Sequence, residues 1–296
     1  MNSTEITILD AGMGKTLAMR GVEIPGTIWS ANALIVAPEV VLDIHHQNID
    51  AGARIITTNS YGIIRTDLAK ENIEDRFAEL NHKAGELAQR AAEDSGKAIE
   101  IAGSLPPLNG SYRPDRVLDS AIIEPLYREQ ANILSEYVDY FLCETLSTIE
   151  EALAATRAAQ STGKPVLVSV TLHDDEAGCL RSGESIIEAI SQLCELKPLG
   201  ILVNCCLPER ISDVMPVLGS AGLEFTGGYA NAFSRVPTDW LLDGIKESDR
   251  KLDLRDDLSP ELYCKFAQHW LDQGANIIGG CCGTTAEHTK ALNSLR

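Results

Sequence analysis

Two adjacent cysteines sit in a run of glycines near the end of the chain, Gly279-Gly280-Cys281-Cys282-Gly283-Thr284, directly after the apolar stretch Ala275-Asn276-Ile277-Ile278. Neighbouring residues on a regular strand point to opposite faces. Both sulfurs therefore reach one ion only where the backbone leaves the strand, which flanking glycines permit. The segment Gly200-Ile201-Leu202-Val203-Asn204-Cys205-Cys206 has the same layout, a short apolar strand ending in Asn-Cys, and offers Cys205 as a third thiolate. Soft thiolates suit zinc or copper(I), and three of them on zinc leave a fourth position for substrate or water, which marks a catalytic rather than a structural site. Either cysteine pair could instead serve as small buried apolar side chains. The glycine flanks favour the metal for Cys281 and Cys282, whereas burial suits Cys206; Cys143, Cys179, Cys194 and Cys264 have no comparable context.

Other polar groups fall at the ends of apolar runs. Asp10, in Asp10-Ala11-Gly12-Met13-Gly14, combines a carboxylate with a glycine-rich turn, suited to an ammonium group and to backbone N–H donation toward a carboxylate. The alternative is a tight turn capped by Asp10. Gly14-Lys15-Thr16 imitates the end of a phosphate-binding loop, but Leu9 stands where that motif needs glycine. Glu144 closes an apolar run, where an acid is costly to bury without a partner such as a cationic ligand; otherwise Glu144 or Thr145 caps the next helix. Asn59, Asn204 and Asn231 are candidates either to donate to a substrate carboxylate or to orient the cysteines. His45 and His46 lie in a helical pattern away from these strand ends, in a core or solvated role.

The elements that must bring these groups together alternate. Strand candidates are Ile6–Leu9, Arg54–Thr58, Ile99–Ala102, Tyr140–Cys143, Val166–Val170, Gly200–Asn204, Glu224–Gly227 and Asn276–Ile278. Helical patterns occupy Pro38–Ala51, Asp75–Glu93, Pro125–Tyr137, Thr148–Gln160, Ser185–Leu196, Pro208–Leu218, Ser259–Gln273 and Thr285–Leu295, with capping residues such as Ser259 at their starts and glycines such as Gly52 and Gly274 at their ends. Eight such units predict a single-domain (β/α)8 TIM barrel over residues 1–296, ahead of a doubly wound open sheet. Catalytic groups of such a barrel sit at the C-terminal strand ends. Asp10, Asn59, Ser104, Glu144, Asn204, Cys205, Tyr229, Asn231, Cys281 and Cys282 should then share one mouth.

Composition narrows the partners. The 296 residues carry 25 basic and 43 acidic side chains, a formal charge of −18, so the mean surface field repels nucleic acid and anionic membranes. No stretch approaches the roughly 18 apolar residues of a membrane span, and the first residues lack a signal-peptide pattern. Eight cysteines without such a segment read as reduced thiols and metal ligands in a cytoplasmic protein.

On these motifs the chain resembles the homocysteine S-methyltransferase family of zinc-dependent thiol methyltransferases. The resemblance runs through Leu9-Asp10-Ala11-Gly12-Met13-Gly14, Trp29-Ser30-Ala31, Pro38-Glu39-Val40 with His45, and Ala51-Gly52-Ala53-Arg54-Ile55-Ile56-Thr57-Thr58-Asn59-Ser60-Tyr61. It continues through Glu144-Thr145, Ser182-Gly183-Glu184-Ser185, Asn204-Cys205 and, most specifically, Gly279-Gly280-Cys281-Cys282-Gly283-Thr284. The resemblance implies zinc held by Cys205, Cys281 and Cys282, the homocysteine sulfur as fourth ligand, and an amino-acid pocket with Asp10 and Glu144. The chain departs from the family pattern at Ala11, Lys15 and Ala230, and in the segment 103–115, which lacks the usual Gly-Pro-Tyr-Gly.

The expected reaction is transfer of a methyl group from a sulfonium donor, S-methylmethionine or S-adenosylmethionine, to homocysteine, giving methionine. Attack of a thiolate on a sulfonium methyl cancels charge and expels a neutral thioether, so it asks for alignment rather than a general acid. Betaine as donor, another thiol or selenol as acceptor, and a non-catalytic zinc or redox site are the alternatives.

Overall fold

In the computed structural model, residues 1–240 and 252–296 are described. Eight short strands form one parallel sheet: β1 (Thr7–Ile8), β2 (Ile55–Thr57), β3 (Glu100–Leu105), β4 (Tyr140–Leu146), β5 (Val166–Val170), β6 (Gly200–Asn204), β7 (Phe225–Tyr229) and β8 (Ile277–Ile278). Their order is β1-β8-β7-β6-β5-β4-β3-β2. The ring closes between its ends: Leu9 pairs with Ile55, the Arg54 amide donates to Ile8 at 2.8 Å, and the Asp10 amide donates to Ile55 at 3.0 Å. The fold is therefore the expected (β/α)8 barrel.

Side-chain parity builds two cores. Leu142, Leu167, Leu202, Phe225 and Ile277 point inward and fill the barrel. Their neighbours Phe141, Cys143, Val166, Val168, Ile201 and Val203 point outward onto the helices, as a period of two requires. Two residues beyond the inward apolar layer, the same parity delivers Thr57, Ser104, Glu144, Ser169 and Asn204, and four residues beyond Phe225 it delivers Tyr229, to the inner face at the C-terminal ends of their strands. The apolar plug below keeps water from the barrel interior; the polar layer above becomes the floor of the mouth.

The helices follow the sequence pattern closely. Pro38–Ala51 begins on Pro38 and ends at Gly52 with φ 115°, a left-handed stop that glycine supplies cheaply. Thr148 accepts from the Glu151 amide and so caps Ile149–Gln160, which leaves Glu144 and Thr145 without the capping alternative. One helix starts earlier than Pro125: it spans Ser120–Leu134, because the Asp119 carboxylate accepts from the Ala121 amide and sets the start there. The segments Met13–Met19, Asn32–Val36 and Arg65–Lys70 are further helices in the connections after β1 and β2. The glycine-rich turn expected at Gly12–Gly14 is thus the entrance to a helix.

Candidate active site

At the end of β8 the chain leaves the strand after Ile278. The Cys281 amide donates to the Ala230 carbonyl at 3.0 Å, the Cys282 carbonyl accepts from Ala232 at 2.8 Å, and the Thr284 hydroxyl closes the turn on the Cys281 carbonyl at 2.7 Å. Gly283, at φ 83°, turns the chain back into the last helix, a conformation that favours glycine. Gly12 packs from the other side, and a Cβ there would lie 2.5 Å from the Cys281 carbonyl oxygen. Gly12→Ala should therefore push the cysteine turn out of place and lower the cluster's affinity for a metal ion at least about 10-fold, on the scale by which supporting residues act on metal sites. A chelator competition would read this directly.

Cys205 follows β6 with φ 52°, a left-handed conformation costing a non-glycine residue on the order of 1–3 kcal/mol. Its amide donates to Tyr229, and its carbonyl accepts from Asn231 Nδ2 at 2.9 Å and Thr171 Oγ1 at 3.3 Å. These bonds hold it against the strain. The outcome is that the Sγ atoms of Cys205, Cys281 and Cys282 lie within 4.8 Å of one another, the single grouping of three such ligands among the described residues. Tetrahedral zinc with Zn–S bonds of about 2.3 Å places its sulfurs about 3.8 Å apart. The donor set and its spacing fit that metal.

Burial opposes ionisation of Cys205, but hydrogen bonds from Cys281, Cys282 and the Tyr112 hydroxyl outweigh it and bring its thiol well below the usual range. Burial and donation toward Cys205 hold Cys281 protonated; donation to Cys205, then burial, do the same for Cys282. A dication would displace both remaining protons.

The sulfurs open into a cavity of about 610 Å³ whose wall includes Asp10, Asn59, Tyr61, Glu144, Tyr229 and Trp29. Asp10 accepts from the Thr57 amide at 2.9 Å and from the Thr57 hydroxyl at 3.2 Å. Glu144 accepts from Ser104 Oγ at 2.5 Å and Tyr229 OH at 3.2 Å. Burial pushes Asp10 up to about 7 against the pull of the Thr57 bonds, and Glu144 adds repulsion. Burial likewise pushes Glu144 up to about 7, against the Ser104 bond. Two adjoining carboxyl groups, both pushed up by burial and with no fixed cation among their described partners, suit an incoming ammonium.

Residues 7–295 match the homocysteine S-methyltransferase family over nearly the whole chain. The chain belongs to that family. It is a methyltransferase acting on homocysteine. Its fold is similar to that of the metallated form of the Escherichia coli homocysteine methyltransferase MmuM, at TM-score 0.82 and 23% identity over 99% of this chain and 96% of that one. The apo form of the same enzyme gives TM-score 0.74 at 22% identity over the same shares of each chain.

Of the three asparagines singled out from the sequence, only Asn59 borders the cavity, its amide donating to the Ser30 carbonyl at 3.0 Å. Asn204 is fully buried behind the cysteines: its Oδ1 accepts from the Thr145 amide and Ser169 Oγ, and its Nδ2 donates to Thr145 Oγ1 at 2.8 Å and reaches 3.8 Å from Cys281 Sγ. Asn231, also fully buried, spends its amide on Cys205 and Phe233. Both amides are consumed by the protein, which fits the cysteine-orienting role and not contact with substrate. His45 lies in the core with neither ring nitrogen bonded, and burial lowers it to about 4, so it is neutral. Cys206 is buried in the outer apolar core. Thr57, Tyr112 and Arg181 are the site residues that sequence reasoning passed over. Strand parity would have found Thr57; nothing local announced the other two.

Proposed function

We propose that the chain transfers a methyl group from a sulfonium donor to the thiol of L-homocysteine, giving methionine, with zinc held by Cys205, Cys281 and Cys282. The observation that carries this reading is the three-sulfur cluster opening into the same cavity as the two buried carboxyl groups. When bound, zinc supplies the Lewis acidity that keeps the acceptor thiol deprotonated at neutral pH. Asp10 and Glu144 would hold the acceptor's ammonium group, and Asn59 would stand at the cavity wall beside it. The acceptor sulfur attacks the donor methyl in line; the new S–C bond forms as the C–S⁺ bond breaks, and the donor leaves as a neutral thioether. The thiol proton passes to solvent before the transfer. Aromatic rings at Trp29, Tyr61, Tyr112 and Trp240 on the cavity wall favour a cation.

Thiolate chemistry of this kind belongs in a reducing compartment, and we read residues 1–296 as one catalytic domain. Among the described residues no helix is long and apolar enough to cross a membrane. The segment 103–115 contributes Pro107, Gly110, Ser111 and Tyr112 to the cavity wall, so departures there favour a test of the acceptor as well as the donor. The metal-loaded protein is expected to form methionine from homocysteine with S-methylmethionine or S-adenosylmethionine. A panel of these two donors and betaine, with selenocysteine competing as acceptor, checks this; no methionine from any donor overturns it.

A further inference from the structure

The segment 103–115, where the chain departs from its family, places one side chain on the metal cluster. Tyr112 is 3% exposed and its hydroxyl donates to Cys205 Sγ at 3.0 Å. It holds this position at φ 64°, a left-handed conformation unfavourable to a bulky residue. Such a conformation persists only where the surroundings over-determine it, and here they do. The ring packs edge-on to Trp240 with centroids 5.6 Å apart, and the Arg181 guanidinium lies 5.3 Å from the ring centroid on its face.

Arg181 is itself fixed. It pairs with Asp174 at 3.2 Å, both side chains being 2% exposed, and donates to the carbonyls of Val236 and Pro237 at 2.9 and 3.2 Å. The other contacts of Asp174 are to the Val236 amide at 2.8 Å and the Leu207 amide, two residues beyond Cys205, at 3.4 Å. One buried ion pair therefore ties the connections after β5, β6 and β7 together beneath the tyrosine that comes from the connection after β3. An ion pair so deeply buried repays its desolvation poorly as a source of stability. It makes better sense as a device for holding geometry.

We propose that Tyr112 is a positioning residue of the metal centre, its hydroxyl drawing charge from the Cys205 sulfur while the Arg181–Asp174 pair beneath the ring keeps the donor aimed. The inference rests on the reading that Cys205 is a zinc ligand. Four thiolates on one zinc carry a formal charge of −2, and a hydrogen bond to one of them spreads that charge onto the protein. Donors to ligand atoms commonly carry 10- to 100-fold of metal affinity. A guanidinium on the ring face polarises the phenol toward donation.

Tyr112→Phe removes a single oxygen and retains the ring contacts with Trp240 and Arg181, so folding should be preserved, as thermal melting would verify. Zinc affinity, measured by chelator competition on the full chain, should fall about 10-fold. In the cobalt(II)-substituted protein the sulfur-to-metal charge-transfer band should move to longer wavelength, because an unbonded thiolate gives up its electrons more readily. A merely structural tyrosine would not shift that band. Arg181→Gln should produce the same shift in smaller measure; if that variant does not fold, Tyr112→Phe alone decides. An unchanged band with zinc affinity within twofold of wild type overturns the inference. A wild-type chain that takes up neither zinc nor cobalt(II) overturns instead the metal reading on which it rests.

Discussion

Cys281→Ser is expected to abolish stoichiometric zinc and to lower methyl transfer on the order of 10³-fold. A free alkyl thiol with a pKa near 8.5 is only a few per cent thiolate at pH 7, so losing the activating ion alone costs about 30-fold. Losing the fixed position of the attacking sulfur adds more, since proximity and orientation supply several kcal/mol and each 1.36 kcal/mol is tenfold. Cys205→Ser and Cys282→Ser should behave alike, because two sulfurs do not complete the site. Cys206→Ala is the control. Cys206 is adjacent in sequence yet faces the apolar core, and burial raises its thiol far above the usual range; its loss should reduce stability and leave the zinc in place. Metal stoichiometry and methionine formation check all four. Full zinc and activity in Cys281→Ser would show that the cluster is not the centre.

How much of this was legible in the sequence depended on period. Strands of alternating or continuous apolar character declared themselves, and every one of the eight expected segments overlaps an observed strand, with β3, β4 and β7 running two or three residues past the expected ends. Glu144 was visible because an acid interrupts such a run. Its strand runs three residues further than expected, to Leu146, because the pairing with β5 shifts register between Cys143 and Leu146, around Glu144 and the left-handed Thr145. A bulge of this kind re-aims a side chain and leaves no periodic signature. The helices Met13–Met19, Asn32–Val36 and Arg65–Lys70 span seven, five and six residues, too short to show a 3.6-residue period, and they are held by packing against neighbouring elements rather than by their own pattern. Tyr112 and Arg181 are long-range by nature: the hydroxyl meets a sulfur 93 positions away, and no window of sequence contains both.

Backbone strain shows where those long-range contacts concentrate. Among the described residues six non-glycine positions have positive φ, and four of them, Trp29, Tyr112, Thr145 and Cys205, lie on the cavity wall or bond directly to the asparagine behind the cysteines. At on the order of 1–3 kcal/mol each, they are a stability cost concentrated at one mouth. The barrel core below offsets it, which is the division of labour expected of a site carried on strand ends.

The carboxyl pair adds to that cost and gives the second large effect. Glu144→Gln should raise the thermal stability of the ligand-free protein at pH 8 while weakening homocysteine binding about 100-fold. In the folded state burial pushes Glu144 up to about 7, from 4.5 for a free glutamate side chain. Between these values the folded chain holds a proton that the unfolded chain has released. Stability therefore falls as pH rises through this window, by on the order of 3 kcal/mol in full above pH 7. Glutamine keeps one acceptor oxygen, for Ser104, turns its NH2 toward the Tyr229 hydroxyl oxygen and removes the charge, so the melting temperature should rise by several degrees at pH 8 and the gain should vanish near pH 5. Binding runs the other way. In the proposed role of Glu144 the acceptor's ammonium pairs with the carboxylate, and a buried hydrogen bond to charge is commonly worth about 1.5–3 kcal/mol. Wild-type affinity for homocysteine should accordingly weaken as pH falls below 7, and that dependence should flatten in Glu144→Gln. Calorimetric titration and melting curves at pH 5, 6.5 and 8 separate the two effects. A variant less stable than wild type at pH 8, or one that binds homocysteine unchanged, would mean that Glu144 serves the barrel and not the substrate.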